Sequence, residues 1–310
     1  MENLYKNLSL LAPESEIKFS ESMTKHTSYG TGGAVNAFIL PKSMIELKIL
    51  LKYLSENKIN LFIAGSGSNL LVSDKGYNGV VISLNKTFKN LSIKNNIIDV
   101  ETGVMLGHMV KNAIKNELKG FESLVGVPGT VGGALIMNAG AYGSEISTYL
   151  DTVTSLKFNG KLKTYKKNDL KFSYRKSSFP ENEIICKATF TCEKGNIKKI
   201  KSNKIVASNK RKKSQPLKFR SAGSIFKNPS PDMAAGYLID KAGLKGTKIG
   251  NAKISNKHAN FIINLGNAKS DDIIKLIKII IKQVKEKFDI ILELEVKLLG
   301  YDKESLYRGI

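Results

Sequence analysis

The sequence predicts an α+β protein built from two domains. Three observations carry that prediction. The chain has 310 residues, more than a single hydrophobic core usually organises. Short β-rich runs alternate with glycine-rich turns through its first two thirds, and a strand–helix–strand unit fills the last stretch. Its 42% hydrophobic and 25% charged residues are those of a packed globular protein, not of a disordered chain.

The elements read as follows. Residues 43–57, SMIELKILLKYLSEN, predict a helix whose Ser43 and Glu46 are spaced as a capping box. INLFIAG (59–65) predicts a buried strand running into a glycine loop, and GVVISL and IIDVE predict further strands. VMLGHMVKNAIKNELKG repeats apolar residues at helical spacing, with Gly120 at the stop position. FESLVGVPGTVGGALIMNAGAYG is apolar and glycine-punctuated without a helical period. TVTSLKF and EIICKATFTC resume the strand pattern, and the Lys-rich IKKIKSNKIVASNKRKK predicts a polar helix. The first domain is placed at 1–200 and the second at 201–310. Within the second, MAAGYLIDKAGLKG and DDIIKLIKIIIKQVKEKF predict helices, the latter opening on Asp271 and Asp272, where acids favour the helix dipole. HANFIIN and ILELEVKLL frame that last helix as strands.

Composition also narrows the function. Cys186 and Cys192 lie in one predicted strand, six positions apart, and should share a face at a spacing too wide to bridge. With only three histidines in no ligand-like spacing, no metal site is expected. No apolar run approaches a membrane span and no secretory signal is visible, so a reduced cytoplasmic protein is expected, with no membrane insertion. The net charge of +22 invites a nucleic-acid reading, but the lysines are scattered and only 210–213 form a compact run. No nucleic-acid partner is therefore expected; the charge suits a small polyanionic substrate equally well.

Two segments point to a phosphate-bearing ligand. Gly65-Ser66-Gly67-Ser68-Asn69 follows a strand directly and offers backbone N–H groups with little side chain in the way. It is not a Rossmann fingerprint, since the glycine spacing fails and LLV continues it as apolar chain. Alone, a tight turn explains it as well. The second segment holds Gly126, Gly129, Gly132, Gly133, Gly140 and Gly143 among apolar residues, the composition of chain in close contact with other backbone or with a ligand. Together they point to a large dinucleotide.

GSGSNLLV, GVPGTVGGALIMNAGAYG, FSYRKSSF, SAGSIFKNP, LKG, HANFIIN and LEVKLLG occur in that order. This series resembles the UDP-N-acetylenolpyruvoylglucosamine reductase family of bacterial peptidoglycan precursor synthesis, from about Thr27 to Gly300. The resemblance implies an FAD-binding domain of the vanillyl-alcohol-oxidase (PCMH) type plus a smaller α+β substrate-binding domain. HTSYGTGG (26–33) matches a family segment near the flavin. The implied cofactors are FAD, held non-covalently since neither glycine loop carries a histidine, and NADPH. The implied substrate is UDP-N-acetylglucosamine enolpyruvate, reduced to UDP-N-acetylmuramate. The expected assembly is a monomer or weak oligomer. The stretch between the FSYRKSSF and SAGSIFKNP motifs lacks a tyrosine-bearing insertion, as in the family's shorter subtype.

Site residues carry over by motif. The cofactor set is Gly65, Ser66, Gly67, Ser68, Asn69, Gly126, Thr130, Gly132, Gly133, Gly140 and Tyr174. Hydride addition to the terminal enolpyruvyl carbon pushes charge onto the carboxylate, so the site needs a fixed cation there and a proton source at the adjacent carbon. Arg175 matches the family arginine and has the planar fork a carboxylate wants; without its motif it would read as a surface residue. Ser224 matches the proton donor, against a turn serine after Gly223. Glu295 matches the catalytic glutamate, although strand spacing alone places Glu293 on the same face. Lys227, Asn228, Lys245 and His258 are the looser substrate-binding set. Arg211 could reach the diphosphate or simply be solvated. An FAD oxidase of the same fold is the alternative chemistry, and it does not explain Arg175, Ser224 and Glu295 together.

Overall fold

The computed structural model describes residues 2–309 and divides into two compact units. The first comprises 1–19, 36–66 and 79–211; the second comprises 20–35, 67–78 and 212–310. The two compact units are therefore interleaved along the sequence. The physical reason is backbone pairing at long sequence range. Leu70–Val72 runs parallel to Lys297–Leu299, which holds the 67–78 segment to the C-terminal chain.

In the first unit, helix α1 spans Glu2–Leu11 and α2 spans Met44–Glu56. The α2 stripe Leu47, Leu50, Leu51 and Leu54 recurs at the 3–4 spacing of one helix face and is fully buried against Leu8, Ile39, Val80 and Ile82. Each such side chain contributes about 1.5–3 kcal/mol by leaving water. Half of the expected capping box forms: Ser43 Oγ accepts the Glu46 N–H at 3.2 Å. The Glu46 carboxylate does not reach back. It accepts from the Glu14 N–H (2.9 Å) and the Ser15 hydroxyl (2.6 Å) instead, tying down the chain after α1.

A five-stranded antiparallel sheet follows, ordered Leu162–Lys166, Leu150–Lys157, Glu183–Thr191, Ile97–Glu101, Leu91–Lys94. Val153, Ala188 and Val100 stand opposite one another across three strands and pack with α3, Leu106–Lys115, through Met109, Val110 and Ala113. The helix ends before Gly120. Glu117 takes the left-handed conformation (φ +59°), and Leu118–Lys119 already pairs as a strand. Cys186 and Cys192 do not share a face: Cys186 belongs to the α2 core and Cys192 to the α3 core. A register shift between Thr154 and Ser155 passes over Cys186, and one extra residue in a strand inverts every later side chain. Both are free thiols, pushed by burial up to about 12 and therefore protonated. Helix α4, Val131–Ile136, arises where no helical period is visible, and α5 spans Ile197–Ser214 with only Ile200, Ala207 and Arg211 buried.

In the second unit, helix α6 (Ala235–Lys241) and helix α7 (Ser270–Phe288) enclose a core with the antiparallel strands Lys248–Ile249, Ala252–Ile254 and Ile262–Asn264. Seven apolar side chains of α7, from Ile273 to Val284, are buried. Asp271 and Asp272 stand in its first turn as expected, but its cap comes from elsewhere. The Asp74 carboxylate accepts the Ser270 N–H at 3.0 Å and the Asp271 N–H at 2.9 Å, satisfying two orphan donors of the helix start. The ILELEVKLL stretch is a regular strand only over Lys297–Leu299; before it, Leu294 makes an isolated bridge to Phe226.

Candidate active site

The first glycine loop has the features of a phosphate cradle. Among the described residues, none accepts from the N–H groups of Ser66, Gly67, Ser68 or Asn69, so four consecutive donors remain available for an anion. Gly67 is required sterically as well: its φ is +70°, and a Cβ would lie 1.9 Å from the His26 carbonyl oxygen. The Ser28 N–H donates back to the Gly67 carbonyl at 3.0 Å, so the HTSYGTGG segment supports the loop from behind. Gly65 accepts from Ser83 Oγ at 3.0 Å, and a Cβ on it would meet Thr130 Oγ1 at 2.8 Å.

The second glycine segment is built differently. Thr130 caps α4, its hydroxyl accepting the Gly133 N–H at 3.2 Å. The Val131 and Gly132 N–H groups donate to the carbonyls of Val104 (2.8 Å) and Thr102 (3.0 Å). These first-turn donors are therefore engaged inside the protein. Gly132 permits close packing instead, since a Cβ would lie 3.0 Å from that of Thr102. Gly126 (φ +73°) lies beside Arg211, whose Cδ would be 3.2 Å from an added Cβ.

Arg175 occupies a two-residue hairpin turn between Phe172–Ser173 and Lys176–Ser177. Its φ is +54°, a left-handed conformation that costs a non-glycine residue roughly 1–2 kcal/mol. Such strain persists only where the surroundings impose it, and it concentrates at functional positions. The guanidinium donates from Nη2 to the Gly140 carbonyl at 3.0 Å and stands 5.0 Å over the Tyr174 ring. A second guanidinium is nearby. Burial, with the neighbouring Arg175 charge adding to it, lowers the pKa of Arg211, while Tyr142 opposes the shift. Arg175, Gly126, Gly140 and Arg211 thus form a cationic corner of the first unit, suited to an anion. Sequence reasoning left Arg211 between ligand and solvent; the structure buries it.

In the second unit, the Ser224 segment lies along the Glu295 segment. The Glu295 N–H donates to the Ile225 carbonyl at 2.8 Å, and the Lys227 N–H donates to the Glu293 carbonyl at 2.8 Å. Asn260, which sequence reasoning did not single out, clamps the same stretch. Its Oδ1 accepts the Phe226 N–H (2.9 Å) and its Nδ2 donates to the Phe226 carbonyl (2.8 Å). A buried side-chain amide with both groups engaged fixes a backbone as a neighbouring strand would. The two glutamates separate here: Glu293 is exposed and pairs with Lys227 at 2.8 Å, whereas Glu295 is half-buried.

The looser substrate set is also engaged locally. Asn228 Oδ1 accepts the Ala235 N–H at 3.1 Å, at the start of α6. Lys245 pairs with Asp240 at 2.6 Å. His258 Nδ1 accepts the Asn260 N–H at 3.3 Å; burial first, then the Lys245 charge, lowers its pKa and so favours the neutral ring, whose Nε2–H is then the donor. Among the described residues no helix is long and apolar enough to cross a membrane, and no three His, Cys, Asp or Glu side chains gather as a metal would need.

Comparison with known proteins agrees with this architecture. Residues 35–164 match the family of FAD binding domains, and residues 215–299 match the C-terminal domain of UDP-N-acetylenolpyruvoylglucosamine reductase. The UDP-N-acetylenolpyruvoylglucosamine reductase of Caldanaerobacter subterraneus subsp. tengcongensis is 43% identical over 300 residues, covering 96% of this chain and 99% of that one. The reductase of the same name from Clostridium novyi is 41% identical over 98% of each chain. The crystal structure of the Thermus caldophilus reductase superimposes with a TM-score of 0.79 at 33% identity, covering 93% of this chain and 99% of that one. The fold is thus α+β, an FAD-binding domain of the vanillyl-alcohol-oxidase type with a smaller α+β domain. This chain belongs to the UDP-N-acetylenolpyruvoylglucosamine reductase family and is an FAD-containing oxidoreductase.

Proposed function

We propose that the protein reduces UDP-N-acetylglucosamine enolpyruvate to UDP-N-acetylmuramate at the expense of NADPH, as a cytoplasmic enzyme of peptidoglycan precursor synthesis. The observation that carries this reading is the row of available N–H groups at Ser66–Asn69, in a chain at least 41% identical to two reductases of this name over nearly its whole length. Bound FAD would supply the hydride relay, from the nicotinamide to the terminal carbon of the enolpyruvyl group. The four N–H groups would hold its pyrophosphate without a covalent link. Gly65 and Gly67 keep that surface free of side chains, while Thr130, Gly132 and Gly133 shape the chain behind it. Gly126, Gly140 and Tyr174 frame the Arg175 corner.

Arg175 binds the enolpyruvyl carboxylate and stabilises the charge that develops there during hydride addition. Ser224 delivers the proton to the adjacent carbon, and Glu295, whose backbone N–H bonds the residue after Ser224, assists that transfer. Lys227, Asn228, Lys245 and His258 bind the sugar nucleotide, with His258 donating from Nε2 and Lys245 providing charge for the diphosphate. In this reading residues 1–200 supply the FAD-binding part and 201–310 the substrate-binding part, a functional division distinct from the interleaved packing units. The test is an aerobic assay with purified yellow protein: NADPH oxidation should depend on the enolpyruvyl sugar nucleotide and yield its lactyl ether in equal amount. Oxidation of a simple alcohol or sugar with oxygen uptake, and no turnover of the enolpyruvyl compound, would instead establish an oxidase.

A further inference from the structure

We infer that Asn69, placed in the cofactor loop by its motif, acts through its side chain as the positioning residue of Glu295. The Asn69 amide Nδ2 donates to the Glu295 carbonyl oxygen at 3.0 Å. Two residues further on, the Lys297 N–H donates to the Asn69 carbonyl, also at 3.0 Å, and Lys297 opens the parallel ladder with Leu70. Asn69 therefore grips the chain on the C-terminal side of Glu295. On its other side the Glu295 N–H is held at 2.8 Å by the Ile225 carbonyl, the residue after Ser224. The Glu295 peptide is thereby fixed between the proton-donor segment and the glycine loop. An asparagine suits this task because its short side chain presents a donor to the carbonyl while its own backbone stays in the ladder. Aspartate is nearly isosteric but offers an acceptor to that carbonyl, and alanine offers nothing. The backbone N–H of Asn69 remains available to the cofactor, so one residue can serve both sites by separate groups.

This inference rests on the catalytic reading of Glu295, and the experiment separates the two. Apoprotein of Asn69→Ala and Asn69→Asp is titrated with FAD, and the two half-reactions of the reconstituted enzymes are followed by rapid mixing. At saturating FAD, any loss in bleaching by NADPH should be far smaller than the slowing of colour recovery with the enolpyruvyl sugar nucleotide, which is expected to be about 10- to 100-fold, the scale of a displaced catalytic group. The limb of its pH profile set by the glutamate should shift. In a Glu295→Gln background, Asn69→Ala should add no further loss. Weakened FAD binding with both half-reactions falling together would make the Asn69 side chain a cofactor ligand and overturn the proposal. An unchanged recovery rate, or a full additional loss in the Glu295→Gln background, would overturn it too. If Glu295→Gln by itself recovers at the wild-type rate, the catalytic reading of Glu295 fails first and takes the proposal with it. Should Asn69→Asp not fold, Asn69→Ala carries the same outcomes.

Discussion

Ser224→Ala is expected to leave bleaching by NADPH intact and to slow recovery with the enolpyruvyl substrate by about 10²–10⁴-fold, the range that a positioned proton donor contributes. The two half-reactions are separable steps. Hydride delivery from NADPH does not involve a proton at the substrate carbon, so removing the donor should not affect it. A hydroxyl is a weak acid, and its effectiveness depends on being held in place. Ser224 precedes Ile225 and Phe226, whose backbone groups are engaged by Glu295 and by both side-chain groups of Asn260. Glu295→Gln should show the same division between half-reactions. Glu293→Gln should not, because Glu293 is exposed and paired with Lys227. Equal slowing of both half-reactions by Ser224→Ala, or equal effects of the two glutamate variants, would contradict these roles.

Arg175→Gly should keep the fold and lose the chemistry. Arginine at φ +54° is strained, whereas glycine adopts that conformation freely, so folding stability should stay within about 1 kcal/mol of the wild type despite the lost bond to the Gly140 carbonyl. Recovery with the enolpyruvyl substrate should fall about 10²–10³-fold, as when one preorganised donor to a developing anion is removed. Arg175→Lys, which keeps the charge without the fork, should fall between the two. The comparison needs thermal melting and rapid-mixing kinetics on the same preparations. A glycine variant that melts normally and reacts within a few-fold of wild type would remove Arg175 from the mechanism.

Much of the fold was legible because its cores follow simple periods. The α2, α3 and α7 stripes repeat at helical spacing, and strands such as Ile97–Glu101 and Glu183–Thr191 stand where the β-branched runs lie. What escaped depends on partners distant in sequence. The α4 turn forms in glycine-rich chain because Thr130 caps it and the Thr102 and Val104 carbonyls accept its first N–H groups. Glu46 turns to Ser15, and Asp74 caps a helix 196 residues away. The bulge at Cys186 inverts a face that alternation alone would preserve. Ladders between 70–72 and 297–299 place the 67–78 segment with the C-terminal unit.

The candidate site was legible mainly through its motifs. Nothing in spacing separates Glu295 from Glu293, and Arg175 by itself reads as one more surface cation among lysines. Geometry adds what pattern lacks: the strained φ of Arg175, the buried Arg211 beside it, the Asn260 clamp on the Ser224 segment and the Asn69 contact to the Glu295 peptide. The glycine segments also divide in their physical roles. The GSGSN loop leaves its N–H groups available, while the first-turn donors after GVPGT are engaged within the protein. A signal for Asn260 was present in HANFIIN, but a buried asparagine in an apolar strand reads as structural until its partners are seen.

The most direct measurement is sequential anaerobic mixing of the purified enzyme. One equivalent of NADPH should bleach the flavin, and one equivalent of UDP-N-acetylglucosamine enolpyruvate added next should restore the oxidised spectrum, with one UDP-N-acetylmuramate formed per flavin. A flavin that NADPH bleaches but the enolpyruvyl nucleotide leaves reduced would contradict the account.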